Sequence, residues 1–187
     1  MKKSKKKIVA VIAVLLALIL AAGLYFGIQI LFPFSFNNYY ISVTDVADDN
    51  VLQSHIRLQY GDYTVYSNAD CSFSSEDYSD YCVVDIWAEV TNKSVLKAWF
   101  KYFIPAEEND FIIYGTETIK YSAVDAGETA EVCGTSFVCL RNGMTDDTII
   151  KKLSQMKFTA VYKNDIFENL KTTKTPDSLR LYEYTTG

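Results

Sequence analysis

The sequence predicts an all-β fold, an antiparallel β-sandwich with one short helix, preceded by a single transmembrane helix. Three observations carry this. Residues 8–32 form a 25-residue run without a charged side chain. Beyond it, apolar and polar residues alternate with a period of two through most of residues 39–187. One segment only, around residues 145–156, has helical spacing and helix-type charge order.

The N-terminal part divides into a basic tail, residues 1–7, a signal-anchor helix, residues 8–32, and a short linker, residues 33–38. A helix rises about 1.5 Å per residue, so the apolar run exceeds a hydrocarbon core of roughly 30 Å. Ala21-Ala22-Gly23 resembles a small-residue cleavage site, but the apolar run continues through Leu24-Tyr25-Phe26. A cleavable signal has an apolar stretch of only about 7–15 residues, so an uncleaved anchor is expected. Lys2, Lys3, Lys5, Lys6 and Lys7 precede the run, and no Lys or Arg follows it closely. The N-terminus is therefore expected in the cytoplasm and the C-terminal domain outside the cell membrane. Tyr25, Phe26, Phe32, Phe34 and Phe36 suit the outer interface, where aromatic rings anchor. Gly23 and Gly27 form a GxxxG pair through which two spans can approach, a minor route to a homodimer.

Residues 39–187 form the extracytoplasmic domain. Five of the chain's 18 basic residues lie in the tail, which leaves 13 against 23 acidic ones, a net −10 outside. That balance argues against nucleic acid as a partner, because phosphate binding needs clustered Lys and Arg. Strand candidates run at 39–46, 56–60 and 63–67. From Cys82 to Val90, one face is Cys82, Val84, Ile86, Ala88 and Val90; the other is Val83, Asp85, Trp87 and Glu89. In the next run Leu96, Ala98, Phe100, Tyr102 and Ile104 face one way, and Lys97, Trp99, Lys101 and Phe103 the other. Asn92-Lys93-Ser94 turns between them. A hairpin about Lys93 would set Glu89 against Lys97, Trp87 against Trp99 and Asp85 against Lys101, all favourable pairs. The competing geometry is an arch that carries the chain from one sheet to the other. Further candidates are 111–114, 117–122, 129–133, 137–140, 157–162 and 179–184. In the helix, Thr145 can cap, Asp146 and Asp147 start the first turn, and Lys151 and Lys152 come late, an order that complements the dipole. Ile149, Ile150, Leu153 and Met156 give it an apolar face.

The stretch from Val83 to Ser94, VVDIWAEVTNKS, followed by a second strand and then by Ala126-Gly127-Glu128-Thr129-Ala130, resembles FxLYD-type and related domains. These are immunoglobulin-like domains of membrane-anchored Gram-positive surface proteins. The resemblance spans about residues 39–162. Ala126 stands where the pattern usually has Pro, and the cysteines lie outside the pattern. It implies an immunoglobulin-like sandwich, a surface location and a binding or accessory role, and it implies no catalytic residue.

Cys71, Cys82, Cys133 and Cys139 all lie in the outward part, where an even number reads as disulfides. Three connectivities are open. Local pairing, Cys71–Cys82 and Cys133–Cys139, is favoured, with Gly134-Thr135-Ser136 turning the chain between the last two. No CxxC spacing is present, so no zinc site is expected. His55, the one imidazole, falls on a polar face beside Arg57, and a solvent-facing role is expected. Asp45, Asp48 and Asp49, and Glu76, Asp77 and Asp80, form acidic clusters without EF-hand spacing, and read as solvated loops. No nucleophile elbow, P-loop or dinucleotide fingerprint occurs. The expected function is therefore non-catalytic and cofactor-free: binding of an envelope or surface protein, with Trp87 and Trp99 as anchors on one face. Cell-wall glycan binding by the same aromatics is the alternative.

Overall fold

A computed structural model describes residues 2–46, 64–68, 78–117, 122–176 and 179–181. The candidate strand 56–60, His55, Cys71 and most of the two acidic clusters lie outside the described residues.

Helix α1, Lys2–Leu31, contains a 22-residue stretch, Ala10–Leu31, long and apolar enough to cross a membrane. Its large side chains, such as Leu20 and Leu24, point away from the rest of the protein. Ten strands follow. They are β1 Phe34–Asp45, β2 Thr64–Ser67, β3 Tyr81–Asn92, β4 Ala98–Pro105, β5 Ile112–Glu117, β6 Ser122–Val124, β7 Thr129–Leu140, β8 Phe158–Asn164, β9 Leu170–Lys174 and β10 Leu179–Leu181. Helix α2, Asp146–Gln155, separates β7 from β8. One sheet has the order β10-β1-β3-β7-β5-β2 and the other β6-β4-β8-β9. Among the described residues, every pairing is antiparallel except that of β10 with β1.

The two sheets close on one apolar core, which makes the domain a β-sandwich. Ile41, Val84, Ile86, Val132 and Phe137 come from the first sheet, and Phe100, Phe103, Phe158, Ala160 and Tyr162 from the second. Full burial of one such large apolar side chain contributes about 1.5–3 kcal/mol. The inward set of β3 is the one its alternation predicts. α2 also forms as expected: the Thr145 hydroxyl accepts from Thr148 N at 3.4 Å, and Ile149 and Leu153 are buried. A second cluster, with Val83, Ile113 and Val138, sits on the outer side of the six-stranded sheet beneath Tyr81 and Val46.

Several expectations are corrected. β3 and β4 do not form a hairpin. β3 pairs with β1 and β7, β4 pairs with β6 and β8, and residues 93–97 arch between the sheets. Asn92 holds the arch. Its Nδ2 donates to Leu96 O at 2.8 Å and Val124 O at 2.9 Å, and its Oδ1 accepts from Ser94 N at 3.0 Å. A bulge between Phe100 and Tyr102 then reverses the alternation of β4. Phe103 and Pro105 therefore turn inward, and Tyr102 and Ile104 outward.

Segments 129–133 and 137–140 are one strand, β7, and Gly134-Thr135-Ser136 is not a turn. An irregularity beside Ile86 and Trp87 leaves Gly134 as an extra residue in the ladder. The absence of a Cβ there lets the Phe103 ring rest against the backbone. The Thr135 hydroxyl crosses between the sheets, donating to Phe103 O and accepting from Phe103 N, each at 2.7 Å.

The linker expected at residues 33–38 is the start of β1. Phe34 packs edge-on against Tyr162 at 5.6 Å, and Phe36 meets Phe103 at 6.0 Å, so both rings serve the sandwich core and not the lipid interface. Only Phe32 and Pro33 separate α1 from β1. The helix end is capped from β8: Tyr162 Oη donates to Leu31 O at 3.1 Å and Asn164 Nδ2 to Ile30 O at 2.8 Å. These bonds satisfy carbonyls that a helix end leaves open. Lys93 N adds a bond to Pro33 O at 2.7 Å.

Candidate binding face

The outer face of the six-stranded sheet is built by alternation on β1, β3 and β7. Ile41, Ile86 and Ala88 point inward, so Tyr40, Trp87 and Glu89 point outward. Register sets Tyr40 directly beside Trp87, Ser42 beside Asp85, and Asn38 beside Glu89. On the other side Asp85 faces Ser136, and Glu89 faces Glu131. Two half-buried aromatic residues, Tyr40 and Trp87, are thus cross-strand neighbours, with Asp85 and Glu89 two positions to either side of Trp87 on β3.

Hydrogen bonds hold the carboxylates in place. Ser136 Oγ donates to Asp85 Oδ1 at 2.5 Å, and Ser42 Oγ to Asp85 Oδ2 at 3.3 Å. Asn37 and Asn38 both donate to Glu89 Oε1, at 3.2 and 3.3 Å. The facing pair Glu89 and Glu131 is a like-charge cross-strand pair, which disfavours folding by some tenths of a kcal/mol to about 1 kcal/mol.

Trp99 is elsewhere. It belongs to β4, pairs with Ala123 and Lys163, and faces outward from the four-stranded sheet. Lys163 Nζ lies 5.6 Å from its ring centre. Its neighbours are cationic and already engaged: Lys97 pairs with Asp125 at 3.0 Å, and Lys101 and Lys163 with Glu168 at 3.9 and 3.8 Å. Trp87 and Trp99 lie on opposite outer faces of the sandwich, so they do not form the single aromatic surface that the hairpin reading implied. Tyr40, which the sequence did not single out, is the aromatic neighbour of Trp87. Its signal was present in the alternation of 39–46, but its partner depended on strand order.

Cys82 and Cys139 are fully buried and directly opposite each other in the β3–β7 ladder. Burial, with the neighbouring Cys82, pushes the Cys139 thiol well above the usual thiol range. Cys133 and Cys139 stand six residues apart in the extended β7. At roughly 3.3 Å per residue that separation is about 20 Å, and a disulfide needs Cα atoms within about 7 Å. The expected local bond between them is therefore excluded by the strand.

An apolar crevice between the sheets is lined by Tyr39, Ile86, Phe103, Phe158, Lys174 and Pro176. It brings together no carboxylate, imidazole or thiol. Among the described residues, no three His, Cys, Asp or Glu side chains gather as metal ligands. At the far end of the domain, Arg141 joins Asp45 and Asp146, and burial opposes its charge less than the two carboxylates favour it. Comparison with known proteins finds no family model that matches this chain and no matching curated protein.

Proposed function

We propose that this protein is a non-catalytic interaction module, held at the outer surface of the cell membrane by α1, that binds a basic segment of an envelope or surface protein. The N-terminal lysines set the expected orientation, with the sandwich outside. The observation that carries the reading is the Tyr40–Trp87 pair set between Asp85 and the facing Glu89 and Glu131. An arginine or lysine side chain laid on the indole would meet cation–π attraction and two fixed carboxylates together. Trp87 is the anchor; Trp99 belongs to a different surface.

The sandwich is read as immunoglobulin-like. In support, β1-β3-β7-β5 faces β6-β4-β8-β9 much as A-B-E-D faces C′-C-F-G. It is also the fold that the resemblance to FxLYD-type domains implies. β5 precedes β6 in the chain, a departure from that order.

Cys82 and Cys139 carry free thiols in this structure, and their facing positions would let them join in a cross-strand disulfide in place of the local pairing. Two thiols would lose two protons and two electrons to an exchangeable protein disulfide, giving one S–S bond and a reduced dithiol on the donor. Peptide mapping without reduction should recover the Cys82 and Cys139 peptides joined.

The test of function places a photo-cross-linking residue at Tyr40 in the full chain on intact cells. A recurrent protein should be captured, less of it when Trp87→Ala is added and as much when Trp99→Ala is added. Capture that depends on Trp99 alone would overturn the choice of face. Capture of wall polymer without protein would favour the glycan reading.

A further inference from the structure

We propose that the turn between β8 and β9, with the β3–β4 arch beside it, rests in the outer lipid interface through Ile166, Phe167 and Val95. This rests on the reading of α1 as a membrane span.

Among the described residues beyond Phe32, the large apolar side chains that stand exposed are Val95 at 57%, Ile166 at 60% and Phe167 at 41%. They lie on two loops at the end of the sandwich that receives α1. One side chain ties the turn to the helix. Asn164 Nδ2 donates to Ile30 O at 2.8 Å, while Asn164 Oδ1 accepts from Ile166 N at 2.9 Å and Phe167 N at 2.8 Å. The backbone closes the same turn, with Asn164 N donating to Phe167 O at 2.9 Å. The arch is tied by the bond from Lys93 N to Pro33 O.

Depth follows from helix length. The 22 residues of Ala10–Leu31 span about 33 Å, close to the roughly 30 Å hydrocarbon thickness. With the stretch embedded, the carbonyls of Ile30 and Leu31 stand at the hydrocarbon boundary. A group hydrogen-bonded to Ile30 O stands there too, and Asn164 carries the turn to that level. Charge sets how far the turn enters. Glu168 is engaged by Lys101 and Lys163, but Asp165 is exposed and keeps the turn at headgroup depth. Ile166 and Phe167 then meet the upper acyl chains, where apolar and aromatic side chains are favoured.

The test reconstitutes the full chain in phosphatidylcholine vesicles whose acyl chains carry bromine near the headgroup or near the methyl end. Trp87→Phe and Trp99→Phe remove the native indoles, and Phe167→Trp adds one. Its fluorescence should be quenched at least twofold more by shallow bromine than by deep bromine. Leu20→Trp in the same background reports the span and should show the reverse order. Quenching of the Leu20→Trp protein with none for Phe167→Trp would overturn the proposal and leave the span standing. No quenching of either would remove the span, and the proposal with it. Ile166→Trp is read in the same way if Phe167→Trp disturbs the fold by circular dichroism. An indole that is unquenched and blue-shifted would mark burial against a second copy and also overturn the proposal.

Discussion

Asn92→Ala should cost the sandwich about 3 kcal/mol. The Asn92 side chain is fully buried and makes three hydrogen bonds, to Leu96 O, Val124 O and Ser94 N. Truncation leaves two carbonyls and one N–H without that partner. A typical hydrogen bond contributes about 0.5–1.5 kcal/mol net, and a buried orphaned group costs about 1–3 kcal/mol. Three at the lower end, with partial relaxation, give about 3 kcal/mol, a large share of the roughly 5–15 kcal/mol of an ordinary domain. For a domain of this size each kcal/mol moves Tm by about 2–4 °C, so a fall of about 6–12 °C is expected. The assay is thermal unfolding of the full chain in detergent, followed by near-ultraviolet circular dichroism. Asn92→Asp sharpens it. The shape is kept, but a carboxylate oxygen replaces the donor that faces Leu96 O and Val124 O, so at neutral pH it should unfold at least as low as Asn92→Ala. A shift below about 2 °C for both variants would refute the view that this side chain closes the arch. Asn92-Lys93-Ser94 also has the form of an N-glycosylation acceptor, but the amide that a glycan would occupy is buried and engaged inside the fold.

Two other predictions are independent of it. Gly134→Ala should destabilise by about 1–3 kcal/mol, because the new Cβ would overlap the buried Phe103 ring and meet Ile86 O at 3.0 Å; an unchanged melt would show that the ring moves freely. Tyr162 gives a pH signature. Burial pushes its phenol up from 10.0 to about 12, so the unfolded phenol loses its proton first. Stability is level below about pH 10 and falls between about 10 and 12, with a slope of at most about 1.4 kcal/mol per pH unit from this group. Tyr162→Phe should flatten that fall relative to wild type in denaturant titrations; equal alkaline slopes would place the effect on other tyrosines.

What could be read from the sequence was periodicity, and what could not was partnership. The alternation of β3 names its inward residues because the strand is long and one face is continuously apolar. The same pattern left hairpin and arch equal, since each buries Val84, Ile86 and Ala88. The favourable pairs Glu89–Lys97 and Trp87–Trp99 tilted the balance towards a hairpin that does not form, and with it went the shared aromatic face. A single inserted residue at the β4 bulge reversed Tyr102, Phe103 and Ile104. β9, Leu170–Lys174, was missed because an edge strand of Lys and Thr lacks apolar alternation. Phe34 and Phe36 look like interfacial aromatics when judged by distance from the apolar run. Only three-dimensional contact with Phe100, Phe103 and Tyr162 assigns them to the core. The caps and charge order of α2, by contrast, are local, and local signals survive folding unchanged.

The two-residue passage from α1 into β1, braced by Tyr162 and Asn164, has a consequence for reach. β1 has 12 residues, so at about 3.4 Å each it carries the chain no farther than about 40 Å from the helix end. A head mounted on a flexible stalk sweeps a large volume and meets ligands at many heights. This one, with α1 embedded, is confined to a thin layer and turns with its helix. With α1 embedded, a partner anchored in the same bilayer would meet it at high effective concentration, by lateral diffusion in two dimensions, whereas a ligand held much farther from the bilayer would lie outside that layer.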